Sequence, residues 1–213
     1  MQQPFRFIIS MVMVALLAAW CASISMAATA DLLEALEQGT VWAEFRGTGD
    51  LGVDATIGRQ RGSPDYVTIA PGTQFWAQAG GRQGQTTLGW VPIDLSGQAV
   101  VRLRIPTACT NINRPAPTPD DILFPEPCPD ERMAVLCGLI QLNQYDLNVV
   151  QLAVWAVANN PTSRSIRRQL NEMVSEEVTS VENRREQGAR LLDAAAALLE
   201  RANLDPADFR MFR

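Results

Sequence analysis

Neither histidine nor lysine occurs among the 213 residues; all 18 basic side chains are arginine. Without His there is no Ser-His-Asp triad, no Cys-His dyad and no His-ligated zinc. Without Lys there is no Schiff base and no phosphate-loop lysine. Cysteine is also scarce, at four residues. Positive charge is in deficit, with formal net charge −5. An acidic chain gains nothing from phosphates, so nucleic acid is excluded as a partner and anionic lipid is disfavoured. The one basic run, Arg164, Arg167 and Arg168, reads as a solvated helix face. The residues call for no cofactor and no metal. Asp50, Asp54 and Asp65 lack the alternating oxygens and closing Glu of a calcium loop and read as turn residues.

What is present begins with a leader. Arg6 precedes an apolar run from Phe7 to Ala22, followed by small residues at Ser25-Met26-Ala27 and Ala28-Thr29-Ala30. That pattern predicts a cleaved signal peptide over residues 1–30 and a secreted or extracytoplasmic chain of the cell envelope. The competing reading is an uncleaved membrane anchor. Trp20 before Cys21 argues against lipoprotein processing. A hydrophobic content of 47% suffices for a real core.

The period of the mature chain then switches from two to three and four. Asp31 to Gln38 reads as a short helix stopped by Gly39. Val41–Arg46, Gly52–Gly58, Tyr66–Ile69, Gln74–Gln78, Thr86–Leu95 and Gln98–Ile105 cluster β-formers between turns. Val101, Leu103 and Ile105 share one face. These segments predict an antiparallel β-sandwich of immunoglobulin-like kind over residues 31–110. From Arg114 to Pro129 six prolines predict a linker without a central strand or helix, residues 111–129.

Residues 130–213 predict a helical layer on the sandwich, giving an α+β fold. Met133, Leu136, Cys137 and Ile140 recur at helical spacing, and a break falls near Tyr145-Asp146. Asn160-Pro161 starts the tail, one long amphipathic helix or two interrupted at Arg184-Arg185, and Phe209, Met211 and Phe212 dock at its end. Trp42, Phe45, Val101, Leu103, Leu136, Ile140, Leu152, Val154 and Trp155 are the expected core.

Three cysteines remain beyond the leader, Cys109, Cys128 and Cys137. In an oxidising compartment any two are disulfide candidates, with Cys128 and Cys137 nearest in sequence. Gln151 is the polar interruption of the apolar stretch Asn148–Ala158. Val150-Gln151-Leu152-Ala153-Val154-Trp155, together with Cys109 at the end of a strand, resembles the thioester domains of bacterial surface adhesins over about Val41 to Ala158. The resemblance implies a bond between the Cys109 sulfur and the Gln151 side-chain carbonyl, an electrophile for an amine or hydroxyl. The family's cysteine is usually followed by an aromatic, where this chain has Thr110-Asn111. The family's stalk repeats and wall anchor have no counterpart in the sequence.

Two further readings stand beside it. One, the reading the whole sequence favours and to which the thioester domain is the alternative, is a secreted binding or structural module that meets an extracellular or envelope partner, protein or glycan, with Gln151 hydrogen-bonded near a helix start. The other is an enzyme using paired carboxylates, Glu44 with Asp54 or Asp94.

Overall fold

The computed structural model describes residues 29–49, 51–140, 144–174 and 180–213. The expected leader, the anchor alternative and Asp50 lie outside them.

Ten strands form two sheets: β1 (Thr29–Asp31), β2 (Val41–Gly47), β3 (Val53–Arg59), β4 (Tyr66–Ile69), β5 (Gln74–Ala77), β6 (Gln85–Thr87), β7 (Val91–Asp94), β8 (Val100–Ile105), β9 (Thr107–Cys109) and β10 (Ile122–Glu126). The smaller sheet runs β1-β4-β7, with β1 parallel to β4. The larger runs β8-β3-β2-β10-β5-β6-β9 and is antiparallel throughout. Alternation puts Val41, Phe45, Val53, Ala55, Ile57 and Phe75 on its inner face. There they share a core with Val67, Ile69, Val91 and Ile93 of the smaller sheet. Phe45 and Phe75 meet at 5.1 Å between ring centres, tilted by 56°, a favourable aromatic geometry. The short helix α1 (Leu32–Glu37), capped by the Asp31 carboxylate, adds Leu32 and Ala35 to this core. Gly39 follows it with a φ of 65°, which glycine adopts without strain.

The proline-rich segment departs from expectation. It supplies β10, which lies inside the large sheet between β2 and β5. Its proline-free start, Ile122-Leu123, pairs with Arg46 and Phe45 of β2. The Gln78 N–H donates to the Ile122 carbonyl and the Gly47 N–H to that of Asp121. Even positions therefore face β5 and odd positions face β2. Pro125 turns its missing N–H toward β2 where that pairing has already ended, so no ladder bond is lost.

The helices α2 (Glu131–Leu139), α3 (Leu147–Asn159), α4 (Ser163–Met173) and α5 (Val181–Arg201) enclose a second core. Asp130, Asp146, Thr162 and Ser180 cap their N-termini in turn. The α3 helix is apolar on all sides and is covered by α5 through Ala195, Leu198 and Leu199, by α2, and by β9. Phe209 and Met211, in the 3₁₀ turns after α5, close this core as expected.

Three details correct the sequence reading. The tail is two helices, but Arg184 and Arg185 lie within α5, and the break comes between Met173 and Val181. Pro161 precedes α4 rather than opening it, because Asn160 ends α3 in the left-handed conformation at φ 44°. Trp42 is 39% exposed: it stands on the outer face of β2, lying over Gly58 of β3, while the helices contact the sheet at β9.

Candidate functional site

The site grows from one feature of sheet geometry. In an antiparallel pair, residues alternate between exchanging backbone bonds with the partner strand and directing their N–H and C=O outward. The Thr110 N–H donates to the Gly84 carbonyl at 2.9 Å, and the register pairs Cys109 with Gln85. Cys109 therefore turns both backbone groups away from β6. Because β9 is the last strand of its sheet, those groups face no further strand.

Gln151 meets them. The Cys109 N–H donates to Gln151 Oε1 at 2.8 Å, and Gln151 Nε2 donates to the Cys109 carbonyl at 2.7 Å. A side-chain carboxamide thus occupies the place of a neighbouring peptide group. Gln151 is 3% exposed and Cys109 6%, so the exchange is shielded from water and strong. The helix delivers it: Asp146 fixes the start of α3, and Gln151 follows one turn later among Val149, Val150, Leu152, Ala153 and Val154, all buried. The Gln151 side-chain carbon is bonded to both hydrogen-bonding atoms and so lies beside the Cys109 backbone.

Cys109 shares its face with Thr107 and Gln85. Thr107 donates to Gln85 Oε1 at 3.0 Å, and the Thr87 hydroxyl donates to the Thr73 carbonyl at 3.2 Å. These side chains are buried and make a polar seam between the two apolar cores. Neither core includes Cys109 or Gln151. Among the described residues, three buried side-chain atoms have no protein partner: Thr110 Oγ1, Trp155 Nε1 and Gln83 Oε1. Thr110 follows Cys109, and Trp155 stands one turn beyond Gln151 on the same face of α3.

None of the three described cysteines is disulfide-bonded. Cys137 is enclosed in the helical core, 3.9 Å from the Thr86 hydroxyl, and burial pushes its thiol up to about 12. Cys128, half-buried before α2, donates to the Asp130 carbonyl at 3.1 Å, and burial raises it as well.

The other sequence candidates come apart. Glu44 forms a surface ion pair with Arg46, and Asp54 stands opposite Arg46 on the neighbouring strand. Asp94 is in the other sheet, where Ser96 donates to it through hydroxyl and backbone and holds its carboxyl below the usual range. A glycosidase acid needs a raised carboxyl, so Asp94 does not fit that role. Asp65 pairs with Arg59. Among the described residues no group of His, Cys, Asp or Glu could hold a metal ion, and no helix is long and apolar enough to cross a membrane. Arg164, Arg167 and Arg168 are exposed on α4, as expected of a solvated face.

The sequence reading missed the polar seam. Its signal was Gln83-Gly84-Gln85-Thr86-Thr87, a polar run in strand context whose strand, Gln85–Thr87, is buried throughout. Comparison of the chain with family models, curated proteins and solved structures returned no match.

Proposed function

We propose that this chain is an extracytoplasmic covalent-capture module in which Cys109 and Gln151 join as an internal thioester. The observation that carries it is the two-point contact between the Gln151 carboxamide and the Cys109 backbone, 2.8 and 2.7 Å. Forty-two residues separate the pair in sequence. The Cys109 thiolate attacks the Gln151 side-chain carbon, the C–N bond breaks, and the nitrogen leaves with a proton from the thiol as ammonia. No oxidant is required. The Cys109 N–H is already aimed at Oε1 and stabilises the negative charge that grows there in the tetrahedral intermediate. The same N–H holds the carbonyl oxygen of the product. An amine or hydroxyl on a protein or glycan surface then attacks that carbon, forming an amide or ester and returning the Cys109 thiol. The two-sheet layer, read as an immunoglobulin-like sandwich, is the rigid support for β9. The leader reading places the activity outside the cytoplasm, which N-terminal sequencing of the exported chain tests.

Intact-mass measurement of freshly exported protein is the decisive experiment. A thioester appears as the loss of one ammonia, and methylamine adds to it as an N-methyl amide at Gln151, leaving the chain one CH₂ heavier than the unreacted sequence. Cys109→Ser and Gln151→Ala remove the loss. A full-sequence mass with a titratable Cys109 thiol overturns the proposal.

The second reading is structural, and the outward-facing backbone of Cys109 favours it. A glutamine that caps the last strand of a sheet satisfies two buried backbone groups and shields the edge, so the module's binding surface would lie elsewhere. The mass measurement separates the two.

A further inference from the structure

Next to the Cys109–Gln151 contact, a cleft of about 300 Å³ opens between the outer face of the large sheet, the start of α2 and the end of α3. This is at the small end of ligand pockets. Trp76 and Thr110 line it on the sheet side. Phe124 of β10 pairs with Trp76 of β5, and beyond Trp76 come Gly84 and Thr110, joined by a backbone bond. A Cβ on Gly84 would stand 2.5 Å from the Trp76 ring and 2.7 Å from Thr110 Oγ1. Only glycine there lets the indole lie down against the sheet beside the threonine. Trp76 nevertheless keeps 39% of its surface exposed and Phe124 50%. On the far side of Gly84 from Trp76 stands Thr110, 7% exposed, a residue of the cleft wall whose hydroxyl is buried beside the glycine and has no protein partner.

The remaining polar liners are neutral amides with unspent groups. Asn111 Oδ1 accepts from the Asn113 N–H and Asn159 Oδ1 from the Ile112 N–H, leaving each a terminal NH₂. Gln74 donates to the Gly72 carbonyl, leaving Oε1 as an acceptor. The one charged liner, Asp130, has both carboxylate oxygens taken by Arg132, at 3.1 and 2.7 Å. No arginine lines the cleft, so a phosphate or carboxylate finds no cation. An ammonium finds only a carboxylate that is already paired.

From this arrangement we infer that the cleft binds a neutral sugar ring. A pyranose has an apolar face of C–H groups that matches a flat indole, and a rim of hydroxyls that both donate and accept. The cleft offers Trp76 for the first, and Thr110, Asn111, Asn159 and Gln74 for the second. The inference stands whether or not Cys109 and Gln151 bond. If they do, a glycan seated against Thr110 is held at the residue following the sulfur.

The test is calorimetric titration of the exported protein with maltotriose, cellotriose and chitotriose, with inorganic phosphate and ethylammonium chloride as charged probes. At least one trisaccharide should bind saturably and stoichiometrically, and the charged probes should not. Trp76→Ala should weaken that binding by roughly tenfold and Trp76→Phe by less. Thr110→Val, which keeps shape and removes the hydroxyl, should weaken it by about fivefold with the thermal midpoint retained. Absence of saturable binding by all three sugars, saturation by a charged probe, or unchanged affinity in both Thr110→Val and Trp76→Phe overturns the inference. Calorimetry reads the sugar and intact mass reads the thioester, so the failure of one is distinguishable from the failure of the other.

Discussion

The interior between the two sheets and the seam along β9 are built by opposite rules. In the first, Phe45, Ile57, Val67, Ile69, Phe75 and Ile93 meet through apolar surface alone, and its stability follows buried area and packing. In the second, Gln85, Thr86, Thr87, Thr107 and Gln151 are as deeply buried, yet each burial has to be matched by a hydrogen bond. The apolar interior tolerates exchange among side chains of similar volume. The seam does not, because removing one partner strands the other. A molecule that only needed a stable sheet would have filled β6 and β9 with valine and isoleucine. The seam instead places polar groups at a defined spot beside an apolar helix.

That contrast can be broken most severely from the apolar side. Phe75→Ala removes a wholly buried ring from contact with Phe45 and should cost about 3–5 kcal/mol in denaturant unfolding. At the seam, Gln151→Leu keeps the volume but leaves the Cys109 N–H and carbonyl without partners. The expected loss is about 3 kcal/mol, in the same assay. If Gln151→Leu is neutral, the seam is not held by its hydrogen bonds and the contrast fails.

A titration sharpens the comparison further. The Cys137 thiol is raised from 9.0 to about 12 in the folded chain, so above pH 9 the unfolded state releases a proton that the folded state keeps. The stabilisation from keeping this thiol neutral is fully present below pH 9 and is lost as pH rises toward 12. Thermal midpoints should decline over that window, and the decline should be shallower in Cys137→Ala. The smallest effect on the fold belongs to Cys109→Ser. Both contacts to Gln151 are made by its backbone, so stability should change by about 1 kcal/mol or less. The same substitution eliminates the ammonia loss that marks a thioester.

Much of this arrangement was legible in the residues. The change from alternation to helical spacing separates the sheets from α2–α5, and the apolar setting of Gln151 marks it as a buried polar group. The motif pairs Gln151 with the Cys109 sulfur, whereas the hydrogen bonds of the Gln151 carboxamide go to the Cys109 backbone. Pairing order was less legible. Prolines argue against a strand by local chemistry, but β10 survives because Pro125 directs its nitrogen to a side where pairing has ceased. Trp42 was expected in the core together with Phe45, but the two stand on opposite faces of β2 and only the Phe45 face is covered there. The tail was misdivided at Arg184-Arg185 because Gly188 looked like a breaker. It is buried within α5, against Leu170 of α4, where a small residue lets two helices approach.

The position of β10 bears on how the chain comes to be folded. Strands β2 and β5 have no partner on one side until residues 122–126 arrive between them. A nascent chain ending near Cys109 therefore holds two half-sheets with open edges, which invite pairing with other chains. Closure joins segments far apart in sequence and is slow for that reason. Residues 111–129 thus act as a late-arriving wedge that completes the sheet. The Cys109 backbone meets Gln151 only after α3 has been synthesised as well, so the order of the chain delays that contact until the sheet around it is complete.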